Sequence, residues 1–183
     1  MRITVTAFEP FGGLKTNSSF IALSQLGDDV DKIILPVSYP DAYIHLKNNL
    51  KESNFIIMLG MAASRNIITI EERAKNILEF KIPDNSGQVL SNKMIDDTIE
   101  EYLYSQINVD ELINYLDTNL VTKSTDAGTF ICNYLYFSVL KDYSIPSIFI
   151  HIPNYQTKEE FEILHNILNK IINHIKGVLL WKK

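Results

Sequence analysis

Short apolar runs alternate with amphipathic stretches along nearly the whole chain, and this alternation limits the possible folds more than any other feature. Residues 2–8 (RITVTAF), 31–39 (DKIILPVSY), 54–62 (NFIIMLGMA) and 145–153 (IPSIFIHIP) read as strands, with Pro40 ending the second and Gly60 stopping the third. The last two are apolar enough to be buried on both faces. Residues 16–26, 41–53, 109–119, 128–143 and 157–176 read as helices, the first opening on the capping run Thr16-Asn17-Ser18. Residues 66–87 read as extended or hairpin-like, and 120–126 as a short strand or loop. Strands alternating with helices predict an α/β fold, a three-layer α/β/α sandwich around a mostly parallel twisted sheet. With no internal repeat or composition break, residues 1–183 are expected to form one domain. In such folds sites gather at the carboxyl ends of strands. Phe8–Gly13, Gly60–Arg65 and His151 fall at such ends.

The chain has 183 residues, 46% of them hydrophobic, enough for a sizeable core. Its formal charge of -5 argues against nucleic acid as a partner, and the closing Lys182-Lys183 pair is too short to change that. No apolar run approaches the roughly 18 residues of a membrane span. One cysteine excludes an intramolecular disulfide. With no signal-peptide pattern at Met1, this points to the reducing cytoplasm.

That cysteine, Cys132, lies in DAGTFICNYLYF (126–137), where small residues precede a helix. A thiol in the first turn of a helix faces unpaired N–H groups, which favour the thiolate and can hold an oxyanion. The plain alternative is a small residue packed under the helix. Among the histidines, His45, His165 and His174 sit in polar helix surroundings, whereas His151 ends a buried strand, where a base is useful. A packed core histidine is the alternative there. Glu71 and Glu72, in TIEERAKN, offer a carboxylate to orient an imidazole, or else a solvated pair. No metal is implied, because the four His and one Cys show no ligand spacing.

Five segments, in order, resemble the pyroglutamyl peptidase I (pyrrolidone carboxyl peptidase) family of cysteine peptidases. They are TAFEPFGG with Asn17 following, LGMAASRNIITIEERAKN, KIPDNSG, DAGTFICNYLYF and FIHIP. The resemblance implies Cys132 as nucleophile, His151 as base and Glu71 as the residue that orients it. Glu72 would follow only from a slipped register that breaks the later matches. It further implies Phe8 and Phe11 as holders of the substrate ring, Ile82, Phe130 and Ile131 as the rest of the pocket, and a thioester acyl-enzyme. Arg65 is a further expected oxyanion donor beside backbone N–H groups. Peptides with an N-terminal pyroglutamate are the expected substrates, with no cofactor, no nucleic acid and no membrane, and assembly as a homodimer or homotetramer.

The chain departs from the family at Met61 (commonly Gln), Ser64 (commonly Gly), and Glu72 and Lys81 (Arg). Two alternatives follow: a cysteine hydrolase of the same fold with altered specificity, or a catalytically silent homologue that kept the pocket.

Overall fold

A computed structural model describes residues 1–181, so the Lys182-Lys183 pair lies outside the described residues. The elements run β1 (Ile3–Phe8), α1 (Ser18–Gln25), β2 (Asp31–Leu35), α2 (Asp41–Asn49), β3 (Phe55–Met61), β4 (Ile68–Glu71), β5 (Arg73–Lys75), β6 (Tyr102–Tyr104), α3 (Val109–Leu116), β7 (Val121–Ser124), α4 (Ile131–Asp142), β8 (Ser147–Ile152) and α5 (Lys158–Trp181). Six strands form one sheet in the order β2-β1-β3-β8-β4-β7. Neighbours are parallel except for β4 against β8. This is the expected mostly parallel α/β sandwich.

Strand periodicity divides the core in two. Ile57 and Leu59 of β3, Ile68 and Ile70 of β4, and Ile148, Ile150 and Ile152 of β8 face α1, α3 and α5. Residues of the opposite parity, such as Ile56, Met58 and Phe149, face α2 and α4. Gly60, Thr69, Glu71 and His151 share that second parity, so the sheet turns all four towards α4.

Helix α4 is apolar nearly all round because it is covered on both sides. The sheet lies beneath it and the β5–β6 ribbon above. Asn133, fully buried, latches the helix to that outer layer. Its amide accepts from Lys75 N (2.8 Å) and donates to Lys75 O (2.8 Å) and Ile77 O (3.0 Å).

Three boundaries differ from the sequence expectation. Strand β2 ends at Leu35, before Pro36 rather than Pro40, because Pro36 has no N–H for the ladder. Gly60 does not stop β3, which runs on to Met61. Residues 66–87 are no hairpin: β4 joins the main sheet between β8 and β7, and β5 pairs with β6.

Candidate active site

Strand pairing brings the first two groups together. Thr69 lies opposite His151 and Glu71 opposite Phe149, so the carboxylate and the imidazole are diagonal neighbours on one face. His151 Nδ1 is 2.8 Å from Glu71 Oε1, with His151 4% exposed and Glu71 fully buried. A carboxylate only accepts, so Nδ1 carries the hydrogen and Nε2 is left for chemistry. Burial pushes the Glu71 carboxyl up, but the His151 bond and charge, with Arg65 behind them, outweigh it and hold the carboxyl below its usual range.

Arg65, on the turn between β3 and β4, closes over the carboxylate. Its Nη1 donates to Glu71 Oε1 at 2.5 Å and to Thr69 Oγ1, and its Nη2 donates to Asp126 O at 2.6 Å. Thr69 Oγ1 in turn donates to Glu71 Oε1 at 3.1 Å. Three of the five guanidinium N–H donors are thus directed at Glu71 and its surroundings. Glu72, one residue on, turns the other way and pairs with Lys123 at 3.3 Å.

Cys132 is the second residue of α4, after the cap Phe130, and Gly128 takes a positive φ of 79° in the turn before it. The first intrahelical N–H bond runs from Tyr134 to Phe130 O, so the N–H groups of Ile131, Cys132 and Asn133 precede the helical ladder. The thiol reaches down to β3. A Cβ on Gly60 would stand 2.9 Å from Cys132 Sγ and 2.8 Å from the Phe149 ring. Gly60 lies opposite His151 in the ladder, so the sulfur rests over the Gly60–His151 pair.

At Cys132, which is partly buried, the surroundings oppose the thiolate that a helix start favours. Burial, then the Glu71 charge, push the Cys132 thiol up to about 12, against the opposing pull of Arg65 and the Cys132 N–H. Desolvation of a small anion here outweighs a half-charge at the helix end.

Beside the thiol, Phe130 meets Phe11 at 5.1 Å and Phe80 at 4.7 Å between ring centroids. The loop bearing Phe11 is tied from two sides. Asn85 Nδ2 donates to Glu9 Oε1 (2.8 Å) and Pro10 O (3.1 Å), and Asn17 Nδ2 donates to Glu9 O (3.0 Å). Asp84 fastens the other end of this turn by accepting from the N–H groups of Tyr39, Ser86 and Gln88, each at 2.9 Å.

A thiol, an imidazole and a buried carboxylate in this order, beside three aromatic rings, can perform acyl transfer on a flat apolar acyl group. A family model of pyroglutamyl peptidases matches residues 1–170. The chain belongs to the pyroglutamyl peptidase family. It is 35% identical over 168 residues to the pyrrolidone-carboxylate peptidase of Thermococcus litoralis, covering 83% of this chain and 76% of that protein. It is 31% identical to that of Thermosipho melanesiensis, covering 98% of each. The crystal structure of the Pyrococcus furiosus pyrrolidone carboxyl peptidase is similar with a TM-score of 0.86 and 26% identity, over 98% of this chain and all of that one (100%). The Thermus thermophilus structure gives 0.85 and 26%, over 94% of this chain.

Within this pyroglutamyl peptidase fold the expected pocket residues separate. Phe11 and Phe130 stand together, and Ile82, 52% exposed, is at the surface. Phe8, 2% exposed, and Ile131, fully buried, are core residues beneath the site. Three participants escaped the sequence reading. Gly60 looked like a strand terminator, whereas its missing side chain makes room for the sulfur. For Thr69 the available signal is its strand parity with Glu71. Phe80, in ILEFKIP, carries no local signal; it is 3% exposed and packs edge-on against Phe130.

Among the described residues, no helix is long and apolar enough to cross a membrane.

Proposed function

We propose that the chain removes N-terminal pyroglutamate from peptides, with Cys132 as nucleophile, His151 as general acid and base, and Glu71 orienting the imidazole. The observation that carries this reading is the 2.8 Å Nδ1–Oε1 bond between His151 and Glu71, on the sheet face onto which Cys132 projects. Residues 1–183 act as one peptidase domain, and the working thiol requires the reducing cytoplasm.

Pyroglutamate is a flat, uncharged lactam without the free amine that other aminopeptidases grip. Phe11 and Phe130 suit such a ring, with Phe80 packed behind Phe130 and Ile82 at the rim. Because the surroundings of Cys132 favour the thiol over the thiolate, attack and proton transfer are coupled. As Cys132 Sγ bonds to the pyroglutamyl carbonyl carbon, its proton passes to His151 Nε2. The carbonyl oxygen becomes an oxyanion, held by the N–H groups that open α4. Glu71 stabilises the imidazolium formed. Collapse breaks the C–N bond, and His151 returns the proton to the leaving amine, giving a thioester. His151 then takes a proton from water, hydroxide adds to the thioester, and free pyroglutamate leaves as the thiol is reprotonated. Release of chromophore from a pyroglutamyl amide under reducing conditions tests this reading. Size-exclusion chromatography with light scattering tests the expected dimer or tetramer.

A further inference from the structure

Glu71 receives all its side-chain hydrogen bonds on one oxygen. His151 Nδ1 (2.8 Å), Arg65 Nη1 (2.5 Å) and Thr69 Oγ1 (3.1 Å) converge on Oε1. Oε2 is buried and has no partner among the described residues. A carboxylate spreads about four acceptor positions over its two oxygens. A buried acceptor left empty is costly, so a donor is due at Oε2.

The sheet places one beside it. Ser124, the last residue of β7, lies opposite Glu71 in the parallel ladder, and partners across a ladder present their side chains to the same face. The backbone there is fixed by Glu72 N donating to Ser124 O at 2.8 Å. The Ser124 hydroxyl now donates to Asp126 O at 3.3 Å, beyond the usual O–H···O range. That carbonyl already accepts from Arg65 Nη2 at 2.6 Å. Turning the side chain gives up this weak bond and a second one at the edge of the range, which Ser124 Oγ accepts from Asp126 N at 3.2 Å.

We propose that Ser124 is a positioning residue for the reaction: its hydroxyl turns from the Asp126 carbonyl to Glu71 Oε2 and completes the acceptor shell of the carboxylate that holds His151. The proposal rests on the catalytic reading of Glu71 above. With both oxygens anchored, the carboxylate cannot rotate and carry Oε1 away from Nδ1 during turnover. A donor to the charged form also makes the carboxyl more acidic, in line with the lowered Glu71 value, to which Ser124 contributes. The other groups facing Glu71 are His151 on β8, Arg65, and Cys132 and Tyr136 on α4, the last donating to Glu71 O at 3.0 Å. Glu72 and Lys123 pair with each other, and the Asp126 carboxylate accepts from Gly128 N.

The test is a carbon-13 NMR titration of the Glu71 carboxyl in the full chain, with its signal assigned by its loss in Glu71→Gln. Parent, Ser124→Ala, Ser124→Val and Ser124→Thr are compared. Val and Thr have the same shape and differ by the hydroxyl alone. The Ala and Val curves should lie about half to one pH unit above the parent, while Thr follows the parent. The acid limb of kcat/KM on a pyroglutamyl amide should move with them at unchanged KM. Ala and Val curves that coincide with the parent overturn the proposal, as does a Thr curve that follows Val. The NMR readout needs no substrate, so failure of the peptidase reading would appear separately, as a parent chain that does not cleave the amide.

Discussion

Gly60 and Cys132 share one space: a Cβ on Gly60 would stand 2.9 Å from the sulfur. The same atom would stand 2.8 Å from the ring of Phe149, which is fully buried and has no room to retreat. The Cys132 thiol therefore reaches the sheet only because β3 lacks a side chain at that point.

Gly60→Ala should thus be worse than its size suggests. Overpacking of this kind costs about 1–3 kcal/mol, and displacing the thiol by about 1 Å can cost roughly 100-fold in turnover. Thermal unfolding together with kcat measures both effects. A variant with parental kcat would show that the sulfur does not work from its position over Gly60.

The raised Cys132 thiol has two consequences for pH. In the free enzyme, iodoacetamide should react with a rate still rising through pH 9, and a plateau below pH 7.5 would contradict the burial argument. Stability follows the same sign. The unfolded chain releases this proton near about pH 8.5, whereas the folded chain keeps it up to about 12. The stabilising contribution is therefore complete below pH 8.5 and is lost as pH rises towards 12. Urea midpoints between pH 8 and 10.5 should fall more steeply for the parent than for Cys132→Ala.

The neighbouring glutamates should behave oppositely. Glu71→Gln removes the charge that stabilises the imidazolium and can offer His151 Nδ1 an amide N–H in place of an acceptor, so it should cut kcat by about 100- to 10,000-fold. Glu72→Gln loses only its pair with Lys123, about a third exposed at each end and worth about 0–1 kcal/mol. Its turnover should stay within about twofold of the parent. The reverse ranking, with both variants folded by circular dichroism, would reject the assignment of the carboxylate.

How much of this was legible in the sequence depends on what each residue needed. Strand and helix alternation is written in local apolar periods, so the layered sheet was readable without any partner. Glu71 and His151 were readable as candidates because each closes or ends an apolar run, and their segments keep the family's order. Their contact was not readable from periodicity, since β4 runs antiparallel to β8 and joins a strand 80 residues away. Strand β6 (Tyr102–Tyr104) was missed because three half-exposed residues carry no period. The direction of the Arg65 guanidinium and the resting form of Cys132 depend on desolvation, which exists only after the layers close.

The aromatic wall separates binding from packing. Phe11→Leu removes a partly exposed ring and its contact to Phe130, worth about 0.5–1.5 kcal/mol. It should raise KM several-fold with little change in kcat. Phe8→Leu removes a ring that is 2% exposed, so it should lower the melting temperature at nearly parental KM. Michaelis parameters and melting curves for the two variants separate these effects, and a parental KM for Phe11→Leu would return that ring to simple packing.

The most direct measurement compares pyroglutamyl, prolyl and alanyl amides bearing one common leaving group, with the parent chain and with Cys132→Ser, under reducing conditions. The account predicts that the parent cleaves the pyroglutamyl compound fastest, despite Met61 and Ser64, and that Cys132→Ser cleaves none of them measurably. Faster cleavage of the prolyl or alanyl amide by the parent would contradict the proposed specificity. Full activity in Cys132→Ser, or no cleavage of any amide by the parent, would contradict the proposed catalysis itself.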